Sequence, residues 1–306
     1  MSNFTIAIHG GAGTILRSQL TAEKEEAYKN ALNESLEAGF KILSSGGSAL
    51  DAVQAAVVSL EDCPLFNAGK GSVFTHEEKH EMDASMMDGK TLKAGAVAGV
   101  MNVRNPVLLS RAVMEKSEHV LLSGAGAEDF ARSLKLPFEP DEYFYSKMRH
   151  DQLMEIIGSE KTALDHSEKK FGTVGAVACD SMGNIAAATS TGGMTNKRYG
   201  RIGDTPVIGS GTYANNKTCA VSCTGHGEFF LRAVVAYDIS CLMEYKNFSL
   251  QQACETVVFD KLVKIGGEGG LVSVDASGNC SLVFNTEGMY RGMRNSAGES
   301  MIAIYR

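Results

Sequence analysis

"KKFGTVGAVACD", residues 169–180, passes within a few positions from a charged, polar run to small and branched apolar residues, with Thr173 set between Gly172 and Val174-Gly175. From Thr173 to Cys179 the chain reads as a strand, followed by a turn at Asp180-Ser181-Met182-Gly183-Asn184 and a second strand from Ile185 to Ser190. Pairing the two symmetrically about Met182 sets 179 opposite 185, 177 opposite 187 and Thr173 opposite Thr191. Directly opposed residues of an antiparallel pair share a face, with Cβ atoms about 4.5–5.5 Å apart. A slip of one residue would send them to opposite faces, so the pairing depends on register.

A threonine hydroxyl is a weak nucleophile unless a base lies within hydrogen-bond reach. A cut before Thr173 would create that base, an α-amino group with an ordinary pKa of about 7.7–8.0. Gly172, having no Cβ, lets the preceding peptide distort as attack by the threonine hydroxyl requires. The polar stretch before it has no periodic apolar face and reads as a flexible linker over about 158–172, which would let the new ends separate. Threonine is also a natural strand former, so a bare G-T-V-G, taken alone, reads better as an ordinary strand start than as a nucleophile.

The chain has 306 residues, 44% hydrophobic and 21% charged, with a formal net charge of −7. Without a basic block, that acidic balance argues against a nucleic-acid partner. "MSNFTIAIHGGAG" offers only Ile6 to Ile8 as an apolar run, too short for a secretory signal, and no stretch is apolar enough to span a bilayer. Seven cysteines, none in a C-x-x-C pair, read as reduced and mostly buried thiols. The expectation is a cytoplasmic protein with no membrane partner.

Phe4 to His9 reads as a short strand ending in Gly10-Gly11-Ala12-Gly13. Thr21 is the N-cap expected of a long helix stopped by Gly46-Gly47, and Ser48 with Asp51 opens a second helix that must close by Pro64. Strands follow at Glu81–Met87 and Ala94–Met101, then a helix over 105–119. Beyond the Thr173 hairpin, helices are predicted from about Glu228 to Tyr245 and Leu250 to Lys264. Closing strands lie near Leu271–Val274, Cys280–Phe284 and Met301–Tyr305. Strands in antiparallel sets with separate helix pairs predict an α+β layered fold rather than a parallel βαβ one. The first half holds too few strands to complete a sheet, so one domain, 1–306, is expected to draw on both halves.

Several stretches carry a resemblance: "IAIHGGAG" (6–13), "PLFNAGKGSVF" (64–74), "DGKTLKAGAVAGV" (88–100), "GTVGAVACD" (172–180), "NIAAATSTGGMTNKRYGRIGDTPVIGSGTYA" (184–214), "AVSCTGHGE" (220–228) and "FNTEGMYRG" (284–292). Along nearly its whole length the chain resembles the plant-type L-asparaginase/isoaspartyl peptidase family of N-terminal-nucleophile (Ntn) hydrolases. The resemblance implies a four-layer αββα sandwich and autocleavage between Gly172 and Thr173 into subunits 1–172 and 173–306, assembled as a dimer of αβ heterodimers. It implies hydrolysis of small-molecule substrates, the side-chain amide of L-asparagine and the isopeptide bond of β-aspartyl dipeptides. Carried over by position, Thr173 resembles the nucleophile, Thr191 its supporting hydroxyl and Asn67 an active-site asparagine. Thr224 and the Gly225 N–H resemble the oxyanion hole. Arg201 resembles the group that grips the substrate α-carboxylate, Asp204 the group that holds its ammonium, and Gly227 a pocket wall. A guanidinium fork and a carboxylate suit those two charges. The resemblance further implies a structural sodium ion on the backbone carbonyls of Leu60, Glu61, Cys63, Phe66, Ala68 and Lys70, with no organic cofactor. Members often have an apolar residue where this chain has Lys70, whose head can snorkel outward while its carbonyl ligates.

"HEEKH", His76 to His80, fits the H-E-x-x-H zinc pattern, but that chemistry needs both histidines on one helix face, whereas these neighbours read as a solvated turn, so zinc is not expected. "HGGAG" lacks the G-x-S-x-G elbow of a serine hydrolase. The alternatives are a glycosylasparaginase-type hydrolase, which also cleaves an asparagine side-chain amide, and an uncleaved inactive precursor or binding module.

Overall fold

The computed structural model describes residues 3–159 and 172–306. Strand β1 (Thr5–Gly13) runs through the glycines that were expected to end it, with an irregularity between His9 and Gly11 where the pairing shifts by one residue. Helix α1 (Ala22–Ser44) starts where the Thr21 hydroxyl accepts from Lys24 N, and α2 (Ala49–Glu61) where the Ser48 hydroxyl accepts from Asp51 N. Each such cap contributes about 1 kcal/mol. Strands β2 (Met82–Asp88) and β3 (Ala94–Val100) and helix α3 (Pro106–Lys116) fall close to their expected places.

Beyond α3 no element was expected before the linker, and the chain forms β4 (Leu121–Ser123), α4 (Gly124–Ser133), α5 (Asp141–Phe144) and α6 (Lys147–Ser159). Helix α6 takes Gly158 and Ser159 from the linker expected over about 158–172, and residues 160–171 of that linker lie outside the described residues. Strands β5 (Val174–Cys179) and β6 (Ile185–Thr191) form the expected hairpin in the expected register, Cys179 opposite Ile185 and Val177 opposite Ala187. Two further strands follow that were not foreseen, β7 (Thr212–Ala214) and β8 (Cys219–Gly225).

The helix expected from Glu228 to Tyr245 is two helices, α7 (Gly227–Ala233) and α8 (Val235–Lys246), broken at Val234 with φ +50°. The break lets Tyr237 N donate to Gly209 O at 2.8 Å and Ala236 N to Ser210 O at 3.3 Å, tying α8 to the loop before β7. Helix α9 (Leu250–Glu255) continues into a π-helical segment, Thr256–Leu262. Strands β9 (Gly269–Asp275), β10 (Cys280–Phe284), β11 (Gly288–Asn295) and β12 (Ser300–Tyr305) complete the chain, β11 being, after β4, β7 and β8, the fourth strand not foreseen.

Among the described residues the strands form an eight-stranded sheet, β12-β11-β1-β5-β6-β2-β3-β4, and a four-stranded sheet, β10-β9-β8-β7. All neighbours are antiparallel except β3 and β4. Helices α1 and α2 cover the outer face of the large sheet, the small sheet lies against its inner face, and α8 and α9 cover the small sheet. The order is helix, sheet, sheet, helix, an α+β sandwich. Between the sheets the apolar contact is made mostly by small or branched residues, among them Ala7, Val177, Ala187, Ala220 and Val272. Strands β5 and β6 sit between β1 and β2, so the large sheet draws on chain from both sides of Gly172. Among the described residues no helix is long and apolar enough to cross a membrane.

Candidate active site

The start of the hairpin lies at the edge of the interface between the sheets. Thr173 is buried, and its Oγ1 donates to Thr191 Oγ1 at 3.2 Å, the contact that the hairpin register requires. Thr191 Oγ1 also accepts from Gly193 N at 3.0 Å and gives its own proton to Gly172 O at 3.1 Å. The same carbonyl accepts from Asn67 Nδ2 at 2.8 Å, so the peptide before Thr173 has two donors on its oxygen. Asn67 is locked in turn, Nδ2 reaching Gly193 O at 2.7 Å and Oδ1 accepting from Val73 N at 3.0 Å.

Behind Thr173 stands His9, fully buried on β1. Its Nδ1 lies 2.9 Å from Thr173 O and its Nε2 2.8 Å from Ser222 Oγ. Burial pushes its pKa down to about 3, although the contact with Thr173 opposes this, so the ring is neutral. A carbonyl can only accept; Nδ1 therefore carries the proton and Nε2 accepts from the Ser222 hydroxyl. Hydroxyl contacts continue from Ser222 to Thr189 at 2.7 Å, Thr212 at 2.5 Å and Ser85 at 2.7 Å, and Ser85 reaches Thr205 O at 2.6 Å. Gly175 leaves room for this chain: a Cβ there would lie 1.9 Å from Ser222 Oγ and 2.5 Å from His9 Nε2. None of these groups was expected from the sequence. Their signal is a run of buried Ser and Thr on strand faces otherwise filled by Ala and Val.

Thr205 follows Asp204 on the opposite wall of a recess lined by Gly172, Thr173, Thr191, Arg201, Asp204, Gly225 and Gly227, among others. Asp204 is buried, its Oδ2 meets no hydrogen-bond partner, and burial pushes its carboxyl up to about 7, with Arg201 only partly offsetting this. Gly227 admits both groups, since a Cβ there would meet Arg201 Nη2 at 2.8 Å and Asp204 Oδ1 at 2.9 Å. Arg201 has a partner not foreseen in the sequence, Glu228 at the start of α7, held by Nε at 2.8 Å and Nη2 at 2.9 Å. His226 Nε2 lies 3.1 Å from the same carboxylate. Thr224 Oγ1 accepts from Ala12 N at 3.2 Å, anchoring the end of β8 to β1 beside Gly225.

Asn67 belongs to the loop after α2. The loop carbonyls at Leu60, Phe66 and Ala68 accept from Cys63 N, Ala68 N and Gly71 N, while those of Glu61, Cys63 and Lys70 show no hydrogen bond among the described residues. Gly69, at φ +51°, folds the loop back so closely that a Cβ would lie 2.4 Å from Glu61 O. Neutral oxygen donors with free lone pairs at the negative end of α2 suit a hard cation, so the residues expected to hold sodium fit it. The Lys70 head turns outward onto the Tyr143 ring, 5.0 Å from its centroid. Glu61 ties the loop to β6, its buried Oε1 accepting from Ser190 Oγ at 2.6 Å and from Val107 N at 3.0 Å. The "HEEKH" residues form a turn closed by Thr75 N to Lys79 O at 2.8 Å, without the helix that the zinc pattern needs.

A family model described as "Asparaginase" matches residues 2–304. The chain belongs to this asparaginase family. It is similar to the isoaspartyl peptidase of Escherichia coli (strain K12), 54% identical over 312 residues covering 100% of this chain and 97% of that protein. It is also similar to the probable isoaspartyl peptidase/L-asparaginase 2 of Arabidopsis thaliana, 40% identical over 100% of both chains. With the isoaspartyl peptidase/L-asparaginase of Xenopus laevis it shares 42% identity over 93% of this chain and 90% of that one. The recess brings together the Thr173 hairpin and the segments carrying Arg201, Asp204 and Gly225, and the Asn67 loop is held to it through Gly172 and Gly193.

Proposed function

We propose that this asparaginase-family protein is a threonine-type Ntn hydrolase. It cleaves the side-chain amide of L-asparagine and the isopeptide bond of β-aspartyl dipeptides, after cutting itself between Gly172 and Thr173. The reading rests chiefly on the Gly172 carbonyl, held by Asn67 and Thr191 directly before a buried threonine whose hydroxyl already donates to Thr191. In the intact chain, Thr173 Oγ attacks the Gly172 carbon. Its proton passes to Thr191 Oγ1 as Thr191 gives its own to the carbonyl oxygen. Collapse re-forms the carbonyl, its hydroxyl proton passing to the Thr173 nitrogen as the C–N bond breaks, and leaves an ester between Gly172 and Thr173 Oγ. Water hydrolyses it to a Gly172 carboxylate and a free Thr173 α-amine.

In the mature form that amine takes the Oγ proton as Oγ attacks the substrate β-carbonyl, then passes the proton to the departing ammonia or amine. Thr224 Oγ and the Gly225 N–H take the developing oxyanion, an interaction commonly worth about 3–4 kcal/mol per donor. Water releases aspartate from the β-aspartyl ester. The substrate α-carboxylate binds the Arg201 guanidinium, whose angle Glu228 fixes, and the α-ammonium binds ionised Asp204. His9 and its hydroxyl partners hold the Thr173 backbone.

A sodium ion on the carbonyls of Leu60, Glu61, Cys63, Phe66, Ala68 and Lys70 would brace the loop that carries Asn67. Family membership supports a dimer of αβ units, and cysteines that are all free thiols suit the reducing cytoplasm. Light scattering checks the dimer, at about twice 32.6 kDa. Assays with L-asparagine, a β-aspartyl dipeptide and N-acetylglucosaminyl-asparagine test the activity. Turnover of the first two is expected, and turnover of the third alone would favour the glycosylasparaginase reading.

A further inference from the structure

A second and larger cleft opens on the other side of Gly172, which lines both. Its wall includes Asn67, the stacked rings of Tyr28 and Tyr290 with centroids 4.3 Å apart, and the apolar side chains of Ile15, Leu16, Leu20, Leu65 and Met148. Two cations line it, Lys24 and Arg149, and among the described residues no carboxylate does, in a chain whose net charge is −7.

Arg149, on α6, is held in place without being neutralised. Its Nε donates to Gly71 O at 3.1 Å, Nη2 to Leu65 O at 3.4 Å and Nη1 to Gln152 Oε1 at 3.3 Å. Among the described residues it pairs with no carboxylate, whereas Arg104, Arg111, Arg132, Arg201 and Arg294 each do. Burial lowers its pKa, the sign of a cation short of compensation. Carbonyls and an amide orient a guanidinium but leave its charge unmatched, and a planar carboxylate is the group such a fork accepts best.

We propose that this cleft receives the leaving amino acid of a β-aspartyl dipeptide, with its free α-carboxylate on Arg149 and an apolar side chain against the Tyr28–Tyr290 pair. This rests on the functional reading above. With the aspartyl part held by Arg201 and Asp204, and its carbonyl carbon at Thr173, the leaving group must point away from that recess. The side of Gly172 facing the second cleft is the direction left to it. Ammonia leaving from L-asparagine makes no use of the cleft, so Arg149 discriminates between the two substrates and acts only on one. The freed carboxylate of Gly172 has the same chemistry and is the competing occupant.

The test compares kcat/KM for β-aspartyl-leucine, β-aspartyl-leucine amide and L-asparagine, per mole of cleaved enzyme. In Arg149→Gln the ratio of β-aspartyl-leucine to asparagine is expected to fall about tenfold or more, with partial recovery in Arg149→Lys, while the ratio of the amide to asparagine stays at its wild-type value. Lys24→Gln, at an exposed position on α1, should lower the first ratio two- to threefold without threatening the fold. Unchanged ratios in both Gln variants, or an equal fall for acid and amide as expected if Arg149 serves Gly172 or only the loop, would overturn the proposal. Failure of the wild type to hydrolyse either substrate would instead overturn the functional reading.

Discussion

The two walls of the recess are finished to different degrees. On the hairpin wall nearly every polar atom near Thr173 is matched within the protein: Gly172 O has two donors, Asn67 is fixed at both ends, and His9 joins Thr173 to a chain of hydroxyls. On the facing wall Asp204 has an oxygen with no partner, and Arg201 is met by a side chain from its own protein. A nucleophile must be aimed before substrate arrives, and satisfied hydrogen bonds aim it. A charged substrate needs counter-charges of its own, and there Asp204 keeps an oxygen to offer while Arg201, held by Glu228, shares its guanidinium; an unmatched buried charge is costly to hold.

Substitutions on the two walls should therefore fail differently. Thr173→Ala is expected to abolish both cleavage and turnover, read by electrophoresis and by ammonia release; wild-type rates would remove Thr173 from the chemistry. Asp204→Asn should leave cleavage intact and cost about 100-fold in kcat/KM, the scale of one charge-assisted contact or slightly more. With the Asp204 carboxyl pushed up to about 7, the anion is lost as pH falls through that value. KM for L-asparagine should therefore rise about tenfold from pH 8 to pH 6, and this dependence should vanish in Asp204→Asn. His9→Phe leaves Thr173 O and Ser222 without their partner. It should lower stability by about 2–4 kcal/mol in urea unfolding, and turnover more than KM; a change in KM alone would place His9 with the facing wall.

The hairpin wall is also the more legible in the sequence. An alternating strand pair has a register, and that register alone sets Thr173 beside Thr191. Caps do the same for α1 and α2 through Thr21 and Ser48, because their signals are local. The facing wall is reached only through resemblance, since Arg201 and Asp204 sit in irregular chain where no period relates residue to residue. Glu228 escapes notice although it ends the "CTGHGE" stretch, as its pairing with Arg201 spans segments distant in sequence. The break at Val234 is hidden for a similar reason: it answers to the Gly209 and Ser210 carbonyls and not to a helix-breaking residue.

Intact-mass measurement with N-terminal sequencing of the purified protein tests the central claim most directly. A fragment beginning Thr173-Val174-Gly175, together with one ending at Gly172, is the result expected. A single uncut chain with full amidase activity would contradict it, since Thr173 would then have no free amine to act as base.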